Sequence, residues 1–207
     1  MKQSTSQALY TYWNNVRGER LAPRRFDIEP SQLGTVLAET FILECDGTQP
    51  ATFRLAGTKI CENIGRELRG TRFVDLFGDA GRAQVSGLME DLRLQGAVQV
   101  LEAKALLDTQ RAAQFEILIM PLVHNGTGVS RMLGSISALD PPHWLGSERL
   151  PALDLVRHEH IWPEGRPHAL ADKFRQRPAL IPELASARLV RINRRSFRIL
   201  DGGLQKE

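Results

Sequence analysis

The side chains best suited to chemistry fall in three stretches of the 207-residue chain. His158-Glu159-His160 places two imidazoles around a carboxylate. A zincin needs its histidines four apart on one helical face, whereas these are two apart in a proline-bounded segment, so a metal site is not expected. Gly65…Gly70 has the outline of a phosphate cradle, but Thr71-Arg72 follows where a P-loop needs Lys and then Ser or Thr. Its glycines read instead as helix stops. Arg66, Glu67, Arg69 and Arg72 crowd one short segment. They could form a polar rim for an anionic ligand or partner, or pair internally with Asp75 or Glu62; the internal pairing is the expectation.

Other groups yield less. Cys45 and Cys61 lack metal-ligand spacing and adjoin apolar runs, where a free cysteine acts as a small hydrophobe. His124, His143 and His168 are isolated, and no histidine lies in the stretch from 59 to 96, so haem is not expected either. Ser86, Ser130, Ser135 and Ser137 have no Gly-x-Ser-x-Gly context. Glu102, Asp108 and Glu116 alternate with apolar neighbours and read as solvent-face strand residues. Catalytic residues, metal and cofactor are all expected to be absent.

The elements that would position these groups centre on residues 53–77, FRLAGTKICENIGRELRGTRFVDLF. Phe53 and Leu55 alternate with Thr52 and Arg54 as in a half-buried strand. Ile60 and Ile64 share a helix face, Gly65 stops that turn, and a second helical turn is expected over Arg66–Arg69. One-turn helices need something to pack on, and a sheet is the natural support. A cleft between the small helices and the sheet would be lined by Phe53, Leu55, Ile60, Ile64, Leu68, Phe73, Phe77 and Leu88. It would hold an unidentified small-molecule ligand or be closed by its own side chains.

Elsewhere, residues 5–17 form an amphipathic helix with Ala8, Leu9, Tyr12, Trp13 and Val16 in one stripe, capped from Ser4–Ser6 and ended by Gly18. The stripe packs on the sheet, or it forms a homodimer or partner surface. Pro30 starts a short turn. Strands are expected over Thr40–Cys45, Ala51–Leu55, Ala97–Leu107, Ala113–Val123 and Met132–Leu139. Asp79 caps a longer helix carrying Val85, Leu88, Met89 and Leu92, with Gly96 as its stop. The fold class is therefore α+β: a five-stranded antiparallel sheet, short helices on one face, an N-terminal amphipathic helix and an irregular C-terminal extension. The expected divisions are 1–36 for the helix and linker, 37–142 for the domain, and 143–207 for the extension. Prolines at 151, 163, 167, 178 and 182 predict little packed structure from about Gly146 to Leu184.

Composition sets the class. The chain is 42% hydrophobic and 25% charged, with a formal net charge of +3, as in an ordinary globular protein. No apolar run reaches the roughly 20 residues of a membrane helix. Two cysteines and no secretory signal make a reducing cytoplasm the expected location. In ARLVRINRRSFRIL, residues 187–200, Arg188, Arg191, Arg194, Arg195 and Arg198 interleave with apolar residues. With Tyr12 and Trp13 they are the candidate partner-binding residues. Protein docking is the expectation there; a nucleic-acid-binding regulator using this segment is the alternative, weakened because Phe197 is its one stacking aromatic.

Several short motifs carry a family resemblance: Tyr12-Trp13 with Arg17-Gly18, Ala22-Pro23-Arg24-Arg25 with Asp27-Ile28 and Pro30, and Phe53-Arg54-Leu55-Ala56-Gly57-Thr58 followed by Gly65-Arg66-Glu67-Leu68-Arg69-Gly70. Over roughly residues 8–140 the chain resembles the stand-alone bacterial PAS-domain proteins of PAS family five, alphaproteobacterial in type. The resemblance implies a five-stranded antiparallel sheet and, in many members, a ligand-sized cavity. It also implies a sensory role in bacterial signalling, or in cell-cycle or motility regulation, exerted through protein–protein interaction. No kinase, cyclase or phosphodiesterase motif follows the domain, so a signalling protein partner is expected.

Overall fold

The computed structural model describes residues 1–45, 50–123, 128–163 and 165. Six antiparallel strands form one sheet: β1 (Thr40–Glu44), β2 (Thr52–Ala56), β3 (Val98–Leu106), β4 (Ala112–Val123), β5 (Val129–Leu139) and β6 (Asp154–Ile161). Their order is β2-β1-β5-β4-β3-β6. The helices are α1 (Ser4–Arg17), the single turn α2 (Pro30–Leu33), α3 (Thr58–Ile64) and α4 (Asp79–Gln95), with 3-10 turns at Arg25–Asp27, Gly34–Glu39 and Phe73–Leu76. No helix among the described residues is long and apolar enough to cross a membrane.

The expected five strands are all present, and the sixth comes from the segment expected to lack packed structure. β3 would otherwise present an open edge of backbone donors and acceptors. β6 pairs with that edge from Val98↔Ile161 to Lys104↔Asp154. The chain leading to β6 is also built in. Leu150 and Leu153 are buried, the Leu150 N–H donates to Ile64 O at 3.0 Å, and the Leu153 N–H donates to Leu76 O at 2.7 Å. Prolines interrupt helices and inner strands, but they leave room for an edge strand between them.

Both faces of the sheet are covered. On the inner face, α3, the Phe73–Leu76 turn and α4 pack on Leu101, Phe115, Ile117, Ile119 and Ile136. On the outer face, Leu9 and Trp13 of α1 pack on Val98, Leu118, Met120 and Leu133. The expected glycine stops are present, with Gly65 and Gly96 left-handed at φ 75° and 69°.

Two local expectations change. Residues 66–69 form a bend and turn rather than a helical turn, because Glu67 Oε1 accepts the N–H groups of Leu68 and Arg69, both at 3.0 Å. Asp79 is the first residue of α4, not its cap; Gly78 holds the cap position.

The N-terminus of α1 shows a further difference. No side chain caps it locally. Instead Glu116, far along the chain on β4, accepts hydrogen bonds from the N–H groups of Lys2 and Gln3. Glu116 is thus fully buried rather than facing solvent, since the outer face is roofed by α1 and the two amides it receives lie just before that helix begins. Close by, Glu39 accepts from Thr5 Oγ1 at 2.7 Å, Ser137 Oγ at 2.6 Å and Lys59 Nζ at 2.5 Å. One carboxylate therefore ties α1, β5 and α3 together.

Gly134 in β5 is required by packing. A Cβ there would stand 2.2 Å from Leu118 O and 2.3 Å from Phe41 Cζ; its absence lets the Phe41 ring lie across the sheet. Gly134→Ala is expected to cost about 1–3 kcal/mol by overpacking. Gly87→Ala, in α4 with nothing within 4 Å, should instead stabilise by about 0.5–1 kcal/mol. Urea unfolding of the two variants tests the opposite signs. Glu39 supplies a pH prediction. Burial alone would raise its pKa, but the hydrogen bonds from Lys59, Ser137 and Thr5 outweigh this and hold it below the ordinary 4.5. Its contribution is complete above that unfolded value and is lost as pH falls through the lower native one. Glu39→Gln should thus be less stable than the parent at neutral pH, and the gap should narrow in melting curves recorded below pH 4.5.

Candidate functional site

Seven of the eight residues expected to line an inner cleft come together. Phe53, Ile60, Ile64, Leu68, Phe73, Phe77 and Leu88 are all buried in the inner core. Phe41 joins them, and the four rings touch in sequence. Phe41–Phe53 centroids are 5.6 Å apart, while Phe41–Phe73, Phe53–Phe73 and Phe73–Phe77 are each 5.7 Å apart, within the favourable range for aromatic pairs. The centre of the helix-and-sheet layer is thus occupied by the protein's own rings.

Leu55 is the eighth, and it lies on the other face, 43% exposed. Simple alternation would place it beside Phe53. However, β1 pairs Leu43 with Phe53 and Ile42 with Leu55, leaving Arg54 as the extra residue of a bulge. One inserted residue reverses the facing of everything after it. Leu55 therefore joins Ile42 on the outer face.

There it lines a cleft of about 480 Å³. Ile42, Leu55 and Ala56 supply the apolar surface, and Arg25, Arg54, Arg69, Arg131 and Glu67 supply the charge. These come from the first 3-10 turn, β2, the turn after α3, and β5. Arg131 donates from Nη2 to Glu44 Oε1 at 2.6 Å, while Arg54 Nε lies 3.9 Å from the other oxygen of Glu44. The Arg131 Nε–H is buried without a hydrogen-bond partner. The Glu67 carboxyl is held below its ordinary range by the N–H groups of Arg69 and Leu68, so it stays ionised. Sequence reasoning assigned neither Arg54 nor Arg131 to a site. Arg131 reaches the cleft only through the β1–β5 pairing, which places it opposite Glu44, and no local pattern announces that.

Arg66 and Arg72 turn instead toward Asp75, the Arg66 Nη2 donating to its backbone oxygen at 3.4 Å. Arg72 grips Asp75 with Nε and Nη2, both at 2.8 Å, which lowers the Asp75 pKa. His158 and His160 lie on β6 with ring centroids 5.7 Å apart, and His160 Nδ1 is 3.1 Å from Gln99 Nε2. No group of three His, Cys, Asp or Glu side chains among the described residues could hold a metal ion.

Of the partner-binding candidates, Trp13 is fully buried in the outer core and donates from Nε1 to Pro121 O at 2.9 Å. The Arg17 guanidinium lies 5.7 Å from its ring centre. A side chain without exposed surface cannot meet a partner in this conformation, so Trp13 packs within its own chain. Tyr12 is half-buried, its hydroxyl accepting the Glu29 N–H at 2.8 Å. Arg188, Arg191, Arg194, Arg195 and Arg198 lie outside the described residues.

Comparison with known proteins adds a family. The model described as PAS domain matches residues 1–137. No curated protein matches the chain. Among solved structures, it is similar to the Rhodobacter sphaeroides LOV protein at 16% identity and a TM-score of 0.39, over 51% of this chain and 61% of that one. It is also similar to the PAS domain of an HTR-like protein from Haloarcula marismortui, at 14% identity and a TM-score of 0.37, over 53% of this chain and 90% of that one.

The cysteines give a direct check on this packing. Burial pushes the Cys45 thiol up to about 11, and burial likewise raises the less enclosed Cys61. Only the thiolate reacts. In the native protein at pH near 8, a disulfide reagent is expected to label Cys61 slowly and Cys45 not at all, with Cys45 reacting once denaturant is added. Rapid native labelling of both would contradict the closed inner face.

Proposed function

Because the chain belongs to the PAS domain family, we propose that it is a non-catalytic cytoplasmic regulator that signals by binding another protein. Family membership supports the sensory or signalling role in general. The observation that carries the specific reading is the inner face, where four phenylalanine rings pack against one another. The residues that line ligand sites by sequence expectation are spent on the core, and no ionisable groups converge among them to run a reaction. Output then depends on a surface whose affinity for a partner differs between two states of the protein. The arginine-rich segment, residues 187–200, is the docking element in this reading, its interleaved Val190, Ile192, Phe197 and Ile199 supplying apolar anchors.

Native mass spectrometry of protein purified from its host, combined with affinity capture with and without residues 187–207, tests the proposal. The expected result is a bare monomer mass, together with a signalling protein that is retained after nuclease treatment and lost on the truncation. Capture abolished by nuclease would instead assign the segment to nucleic acid, and a phosphate-free apolar adduct lost on denaturation would make the inner face a ligand pocket.

A further inference from the structure

We propose that the outer-face cleft beside β2 is a binding site for a small organic phosphate. It is separate from the inner face, since Ile42 and Leu55 on its floor belong to the opposite side of the sheet. Its first qualification is charge. Four arginines, Arg25, Arg54, Arg69 and Arg131, line it beside one acidic residue, Glu67. Arginine does not deprotonate to relieve such crowding.

The charges are only partly answered within the protein. Glu44 forms one short contact with Arg131 and a long one with Arg54, and Glu67 Oε1 is already taken by two backbone N–H groups. The unpartnered Nε–H of Arg131 leaves a donor whose desolvation is uncompensated. An anion held beside Arg131 in the cleft is the acceptor this donor lacks. Several converging forks exceed what one carboxylate can accept and suit the multiple oxygens of a phosphate or diphosphate. A concavity lined by one sign of charge also concentrates such anions.

The second qualification is shape. About 480 Å³ falls within the range of roughly 300–1,000 Å³ typical of small-ligand pockets. The apolar floor gives the non-phosphate part of the molecule a surface to lie on. No aromatic ring lines the cleft to stack successive bases, so a nucleic-acid strand is not its match.

Calorimetric titration of the full chain with ADP, GDP and glycerol phosphate tests the site, with adenosine and a hexaglutamate peptide as comparisons. At least one phosphate compound should bind and raise the melting temperature, and adenosine should not. Arg54→Gln and Arg69→Gln alter cleft side chains outside the core, and each should weaken binding about tenfold or more. Arg72→Gln, whose guanidinium is engaged by Asp75, should leave affinity unchanged. Unshifted melting temperatures of the ligand-free Arg54 and Arg69 variants keep a folding defect from imitating lost binding. The proposal is overturned if none of the three phosphates binds at millimolar concentration, if binding survives both cleft substitutions, or if hexaglutamate binds more tightly than every phosphate.

Discussion

The central strands are apolar on both sides, and everything else in the fold answers to that. β4 turns Phe115, Ile117 and Ile119 to one face and Leu118, Met120 and Leu122 to the other, all of them buried. Such a sheet cannot leave either face in water, because stripping its cover would expose several large side chains at about 1.5–3 kcal/mol each. Apart from α4, the inner layer is built from pieces too short to be stable alone, so α3 and the Phe73–Leu76 turn exist because the sheet is there. The outer layer is led by one helix, α1, with Ala22, Ile28 and Leu33 buried beside it. Its position is set at one end by the Trp13 indole on Pro121 and at the other by the Lys2 and Gln3 amides, just ahead of the helix, on Glu116.

Sequence legibility followed the range of the interaction. Elements defined by their own periodicity could be read directly: α1 from its stripe, α4 from Val85, Leu88, Met89 and Leu92, and the stops from Gly65 and Gly96. Seven inner-core residues were legible for the same reason. Leu55 was not, because a single bulged residue at Arg54 inverts a face without disturbing the local alternation. Glu116 was misplaced because alternation identifies two faces but does not say whether both are covered. The unbroken apolar run Ile117–Leu122 held the missing signal, since a strand buried on both sides reads as continuous rather than alternating. β6 was hidden by the prolines that flank it, Pro151 and Pro163, and its exposed residues gave no periodic pattern. Arg131 needed the β1–β5 pairing before it could be seen beside Arg54.

The two faces divide the labour of a signalling domain. The inner one is spent on cohesion, with aromatic rings filling the space under the small helices. At its β2 edge the outer one carries guanidinium groups that the fold does not fully neutralise, in a region α1 does not roof. A group bound there would touch β2, β5 and the turn after α3 at once. It would thereby bridge the sheet edge and the helix layer, elements whose relative placement is what a sensory domain has available to change.

The docking of α1 also fixes an order of events during synthesis. Its partners Glu116 and Pro121 follow it by about a hundred residues, so the helix leaves the ribosome well before the strand that receives it. At roughly 5–20 residues per second, Leu9 and Trp13 wait on the order of 5–20 s with no surface to cover them. For that interval the apolar stripe of α1 is free to find something else. The contact between α1 and β4 thus forms only after that interval, and the yield of folded protein rests on what shields the stripe meanwhile.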